Sequence, residues 1–395
     1  MTTTQLKQKA QQLLEDNILR FWMEKMQDNE HGGFYGRIDG NNRLDAKADK
    51  GCVLNARILW SFAAAYRVLN KKEYLDIALR AKKYIIEHFI DTKRGGVYWS
   101  VDYLGQPKDM KKQSYAIGFT IYGMSELARA TGDEEALQCA IALFEALERF
   151  AFDSENTGYI EALTYNWNTI EDMRLSYKDE NGSRTMNTHL HILEPYTNLY
   201  RVWKDKRLER QLRILIDIFT HKLLNPQTKH LDLFFNDTWQ GKRNIESYGH
   251  DIEAVWLLTE ALEVLGDEEL MAKTMPIVRE VGLSSEEGLC PDGSMIHELN
   301  ITTGHADMER HWWVQCECVI GEINMFQHFD DPSALRKAMN CFQYIENNLV
   351  DYEQGEWYWS RRNDGTINRN EDKAGFWKCP YHNGRMCLEI LERDF

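Results

Sequence analysis

Histidine is the side chain whose ordinary pKa lets it take and return a proton near neutrality. This chain sets several of its 12 histidines among polar residues that interrupt otherwise apolar stretches. Six such sets occur. The first holds Lys50 and Arg57, the second Gln113 and Tyr115, and the third Asn187, His189 and His191. The fourth holds His250, Asp251 and Glu253, and the fifth Arg310, His311, Trp312, Trp313, Gln315 and Glu317. The sixth holds Trp377, Lys378, Tyr381, His382, Asn383 and Arg385. One set would mean little, but six in matching places imply a shared site. On helices, His250 and Glu253 share a face, as do Trp313 and Glu317, and Asn187 and His191. His189 lies two residues from His191 and points elsewhere. A histidine in the first turn of a helix feels the positive end of the helix dipole, which favours the neutral imidazole that accepts a proton. The chemistry indicated is general acid–base proton transfer.

Each residue also has a structural reading. A buried Arg57 needs a partner, and an ion pair with Glu253 or Glu317 would supply one. His189-x-His191 and Cys316-x-Cys318 invite a metal, but neither has a second pair at zinc-site spacing, and no metal is expected. No phosphate-binding Gly-rich loop, dinucleotide fingerprint or Gly-x-Ser-x-Gly elbow occurs, and no cofactor is expected. Glu253 and Glu317 leave open an inverting glycoside hydrolase, which needs two carboxylates and no histidine pair. A sugar-binding module would need neither.

The elements that must carry these residues repeat. A helical stretch ends, a short turn follows, and a small aromatic cluster comes next. Such clusters occur at Gly33-Phe34-Tyr35, Gly96-Val97-Tyr98-Trp99, Gly158-Tyr159 and, more weakly, His230-Leu231. They recur at Gly293-Ser294-Met295 and Gly355-Glu356-Trp357-Tyr358-Trp359. Most are roughly 62 residues apart, the length of one supersecondary unit. Each unit reads as two helices. Amphipathic patterns run over 75–90, 136–150, 212–224 and 335–349. Patterns apolar on nearly all sides, hence buried, run over 51–69, 114–130, 187–203, 249–265, 309–329 and 380–393. Six such hairpins predict an all-α chain closed as an (α/α)6 barrel, a single domain over 1–395, with its site at one mouth. An open solenoid is the other arrangement; the absence of a polar capping repeat favours closure. The long polar loop 166–184 reads as functional.

Composition narrows the partners. The formal net charge is −15, which speaks against nucleic acid and anionic membranes. No apolar run is long enough to span a bilayer, and residues 1–10 lack a signal-peptide core. Eight scattered cysteines suit a reducing cytoplasm, and a monomer is expected. The 12 tryptophans and 18 tyrosines suit a core and also a sugar site.

The chain resembles the N-acylglucosamine 2-epimerase superfamily, and within it the cellobiose 2-epimerase branch, nearly end to end. The carriers are Leu54-Asn55-Ala56-Arg57-Ile58-Leu59-Trp60, Asn187-Thr188-His189-Leu190-His191 and Gly249-His250-Asp251-Ile252-Glu253. To these are added His311-Trp312-Trp313-Val314-Gln315 with Glu317, and Phe376-Trp377-Lys378-Cys379-Pro380-Tyr381-His382-Asn383. The Asn-Thr-His-Leu-His segment is what points to the cellobiose branch. The resemblance implies the same barrel and an isomerase that inverts C2 of the reducing-end sugar of a disaccharide, such as cellobiose, lactose or mannobiose. It implies that His250 and His382 move the C2 proton and that His191 assists. Arg57, Tyr115, Asn187 and Glu253 would hold the reducing sugar, with Glu317 among the substrate-binding positions. Trp313 and Trp377 would line the site, and Asp179 would touch the distal sugar. A monosaccharide aldose–ketose isomerase or N-acylglucosamine 2-epimerase is the neighbouring alternative.

Overall fold

The computed structural model describes residues 1–241 and 244–395. Among these, the chain forms twelve helical segments that alternate between an outer and an inner ring. The outer ring begins with α1 (Thr3–Gln12, continued through Leu13–Leu19 and Arg20–Lys25). It continues with α3 (Lys72–Tyr84, extended by Ile85–Phe89), α5 (Glu134–Phe150) and α7 (Lys206–Ile218, extended by Phe219–Leu223). It ends with α9 (Glu268–Ser285) and α11 (Pro332–Asn348). The inner ring is α2 (Cys52–Leu69), α4 (Ser114–Thr131), α6 (Met186–Val202), α8 (Tyr248–Leu265), α10 (Trp312–Phe329) and α12 (His382–Glu392).

Each inner helix packs on the next, and α12 packs back on α2 and on α1. That last contact closes the ring and excludes the open solenoid. The inner helices are apolar around most of their circumference, as in α2, where every residue from Cys52 to Ala65 is buried. The fold is the (α/α)6 barrel that the repeat predicts.

The two ends of the barrel differ because their connections differ. From inner to outer helix the chain turns within two or three residues. Asp133, Asp205, Asp267 and Asp331 then cap α5, α7, α9 and α11, each accepting a backbone N–H with its carboxylate. From outer to inner helix the chain makes long excursions with short antiparallel strands and the aromatic turns. These excursions are pinned by buried ion pairs. Asp28 binds Lys50 at 2.7 Å and Asp91 binds Lys112 at 2.7 Å, while Asp153–Arg184 and Asp351–Lys373 repeat the device.

Some boundaries differ from the sequence pattern. The fifth inner helix starts at Trp312 rather than residue 309, because Arg310–His311 pairs as a strand with Ser360–Arg361. The sixth starts at His382 rather than residue 380, since Pro380 precedes it. Helix α6 is kinked: His191 has φ −87° and ψ 16°, and Pro195 lacks the N–H that would bond the His191 carbonyl. That carbonyl instead crowds Gly118 on α4, where a Cβ would lie 2.4 Å from the oxygen.

Candidate active site

Because the inner helices are parallel, their first turns and the long excursions surround one cavity of about 270 Å³. Its wall includes Arg57, Tyr115, Asp179, Asn187, His191, His250, Glu253, Trp313, Trp377 and His382. The fold therefore brings together every side chain that the resemblance assigns to the site except Glu317, which is fully buried behind His382. Trp312 and Trp313 both reach the cavity, although adjacent on one helix, and Trp359 joins them.

The three histidines are each held by Nδ1. His382 Nδ1 lies 2.7 Å from Glu317 Oε1, His250 Nδ1 lies 2.8 Å from Ser247 Oγ, and His191 Nδ1 lies 3.0 Å from Glu194 Oε2. An ionised Glu317 requires a donor, so His382 carries its proton on Nδ1 and keeps a lone pair on Nε2. Ser247 can donate or accept, so His250 can adopt either tautomer. Burial drives all three below the ordinary imidazole range. His250 falls to about 3, and His382 falls well below normal, with Arg57 and Arg385 adding to the effect of burial. His191 also falls, although Glu194 opposes the shift. All three are neutral at neutral pH. Trp313 stands between the outer two, with ring centroids 4.8 Å from His250 and 5.8 Å from His382.

The cation of the site is Arg57. Its Nη2 donates to Tyr115 Oη at 2.7 Å and its Nη1 to the Trp377 carbonyl at 3.2 Å. Its guanidinium stacks 4.1 Å from the Phe119 ring and 4.6 Å from Tyr381. Among the described residues no carboxylate pairs with it, so the ion pair with Glu253 or Glu317 that would have made Arg57 purely structural does not form. Arg385 takes those carboxylates instead. It binds Glu253 at 2.6 Å and Glu317 at 2.7 Å, and also Glu194 and Tyr381. Burial raises the Glu194 carboxyl, but Arg385, His191 and Tyr381 outweigh this and hold it at about 2. Burial and the facing Glu317 push Glu253 well up. Glu317 has three donors, Arg385, His382 and Trp256, so of this pair Glu317 is the ionised member.

Two other polar positions of the six sets, His189 and Asp251, are tied up in structural hydrogen bonds. His189 Nδ1 meets the Thr185 carbonyl at 2.7 Å, and its Nε2 accepts from Tyr159 N at 3.0 Å, which leaves no nitrogen for a metal shared with His191. Asp251 binds His230 at 2.7 Å. Cys316 and Cys318 are buried thiols. Glu253, Glu317 and His382 approach one another closely enough to suggest a metal cluster, but the Arg385 guanidinium binds both carboxylates. The loop 166–184 does reach the site: Leu175 to Asp179 form part of the wall, and Lys178 bridges to Glu371 at 2.8 Å across the mouth. One Asp179 oxygen accepts from Ser176 N at 2.8 Å within that loop.

Residues 33–384 match the N-acylglucosamine 2-epimerase (GlcNAc 2-epimerase) family. The chain belongs to this family. It is, with it, an enzyme of the isomerase class acting on carbohydrate. A cellobiose 2-epimerase of Bacteroides fragilis is 58% identical over 386 residues, covering 98% of each chain. One from Ruminococcus albus is 39% identical, covering 97% of each. The solved cellobiose 2-epimerase of Bacillus thermoamylovorans B4167 superposes with a TM-score of 0.94 at 39% identity, covering 99% of this chain and 100% of that one.

The cavity and its hydrogen bonds also involve residues that helical spacing did not single out. Glu194 lies three residues after His191 in a helix buried along most of its length, and a charge there was a readable signal. Ser247 precedes α8 by one residue and faces His250 from three positions away. Trp359 and Glu371 come from aromatic-turn and loop segments, where no periodicity points a side chain.

Proposed function

We propose that this chain is a cellobiose 2-epimerase, with residues 1–395 as one catalytic domain. The observation that carries the reading is the trio of Arg57, His250 and His382 on one cavity wall. It joins two neutral imidazoles to a guanidinium that, among the described residues, has no carboxylate in contact with it. A sugar C2–H is acidic only when C1 is a free aldehyde, so the ring opens first. Glu253, whose carboxyl holds its proton, is placed to hydrogen-bond a sugar oxygen. One histidine then removes the C2 proton, and the electron pair forms C1=C2 while charge collects on O1. Arg57 stabilises that oxygen. Rotation about C2–C3 presents the other face; the first histidine loses its proton to solvent while the second gains one there, and the second then delivers that proton to C2. The product differs from the substrate only in configuration at C2, and no electrons are exchanged. Delivery of the proton to C1 instead yields the ketose as a side product.

The Asn187–His191 segment, the relatives' activity and the Leu175–Asp179 wall support a disaccharide whose reducing sugar lies deep and whose second sugar lies near the mouth. His191 assists from beside Tyr115, with ring centroids 5.1 Å apart. An inverting hydrolase fits poorly. Facing atoms of Glu253 and Glu317 lie within 4.8 Å, both carboxylates bind Arg385, and an inverting pair needs ~6.5–9.5 Å with a water between. The test is incubation with cellobiose and with lactose in deuterated water, followed by NMR. The reading requires the C2 epimer with deuterium at C2. Unlabelled product, or release of free glucose, would overturn it.

A further inference from the structure

Buried acid–base pins hold four of the excursions, but the one between α7 and α8 inverts the device. Lys50, Lys112 and Arg184 each stand two residues before an inner helix, and each binds an aspartate. Glu246 stands at that place before α8. The acid's place is changed as well. Asn225 N donates to the His230 carbonyl, as Asp28 N does to Gly33 and Asp91 N to Gly96, so an amide replaces the aspartate. A carboxylate thus stands where the other turns hold a cation. Glu246 is 8% exposed, and among the described residues no hydrogen bond reaches its carboxylate.

What faces Glu246 is a ring nitrogen. His230 is 2% exposed, and Asp251 is buried behind it, accepting from His230 Nδ1 at 2.7 Å and from Leu231 N at 2.9 Å. With that proton fixed on Nδ1, the Nε2 lone pair is turned away from Asp251. Nε2 lies 3.8 Å from Glu246 and 3.7 Å from Glu287, which sits in the short turn after α9. Three electron-rich groups converge, so a cation belongs among them, either a proton on Nε2 or a metal ion. The spacing decides between the two. An N–H donor bonds an oxygen at ~2.7–3.2 Å, and both gaps exceed that. Two ligands of one zinc ion, at ~2.1 Å each, lie up to ~4.2 Å apart, and both gaps fit. The ligand atoms lie within 4.8 Å of one another, and the Glu287 side chain is 62% exposed, which leaves it room to close in and opens the site to solvent. One imidazole with two carboxylates suits a first-row divalent ion, whereas calcium and magnesium favour oxygen alone.

We propose that His230 Nε2, Glu246 and Glu287 bind one first-row divalent ion, zinc foremost, with Asp251 orienting the imidazole. Glu246 precedes Ser247 and Asp251 follows His250, so the ion braces the turn that holds His250 without entering the sugar cavity. The test is calorimetric titration of the chelator-stripped protein with zinc chloride. The parent should bind zinc, and Glu246→Gln and Glu287→Gln should each weaken that binding at least about tenfold. The zinc-dependent rise in Tm should shrink in step, since an ion that binds only the folded chain stabilises it. His297→Gln alters the other histidine cluster, His297, Asp307 and His311, and should leave this binding unchanged. If Glu246→Gln fails to fold, Glu287→Gln, at an exposed side chain, decides alone. Parental zinc binding in Glu287→Gln, or binding lost only in His297→Gln, overturns the proposal. Absence of zinc binding by the parent also overturns it and leaves a protonated His230 as the cation between the carboxylates.

Discussion

Replacing Glu317 by Gln tests whether the histidines to which the proposed reaction assigns proton transfer are tuned from behind. The variant keeps the shape of a side chain that does not line the cavity but hydrogen-bonds His382 Nδ1 at 2.7 Å. Arg385 retains Glu194 and Glu253, so the buried network survives. What is lost is the negative charge facing an imidazole that becomes imidazolium in the transition state. A hydrogen bond to a charged group is worth ~1.5–3 kcal/mol and one between neutral groups ~0.5–1.5. The difference of about 1.5 kcal/mol corresponds to about tenfold in kcat. KM for cellobiose should stay within about twofold, because the lost interaction belongs to the transition state and not to the bound sugar. The imidazole also becomes less basic, so the acidic limb of kcat/KM moves to lower pH. Steady-state kinetics from pH 4.5 to 8 read both effects. A variant with parental kcat, or one whose loss appears as raised KM with an unmoved acidic limb, would refute the reasoning.

Exchanging either His250 or His382 for Asn should lower epimerisation at least about a hundredfold, the scale of a lost general acid or base, with circular dichroism unchanged. Asp179→Ala should raise KM for cellobiose several-fold, about 1 kcal/mol for one hydrogen bond, while turnover of mannose is unaffected; equal losses on both sugars would remove Asp179 from the distal subsite. Buried neutral histidines make stability depend on pH. The unfolded chain takes up a proton near the ordinary value of ~6.5, and folded His250 only near 3. Its contribution is therefore full above about 6.5 and is lost as pH falls toward 3, so Tm should drop across that window and drop less steeply in His250→Asn. Gly118→Ala drives a methyl group into the His191 carbonyl and should cost ~1–3 kcal/mol in urea unfolding, with kcat reduced as the kink shifts.

The barrel was legible because its signal repeats: aromatic turns at a near-constant interval, and inner helices apolar on every side. Helices α1 and α9 were not. The middle of α1 is a π-helical stretch, Leu13–Leu19, which breaks the regular spacing, and α9 contains Pro276 and buries few side chains. At the site, residue types in first turns found ten of the wall residues, since a polar group in a buried helix has few places to go. Partnerships were a different matter. Sequence gave no means of deciding that Arg385 rather than Arg57 collects the carboxylates, because that depends on which way two buried arginines point across the ring. Glu317 shares a helix face with Trp313, yet lies a full turn deeper, where it reaches the back of His382 and not the sugar.

The contact between α12 and α2 also governs when activity can arise. His191 and His250 leave the ribosome long before His382 and Arg385, which sit on the helix that completes the ring. Until then the apolar inner faces of α2 and α10 lack their neighbour, and Glu194, Glu253 and Glu317 lack their cation. A nascent or truncated chain ending short of residue 382 has no partly competent form; it exposes sticky helices and unmatched acids, a species for chaperones to hold and proteases to find.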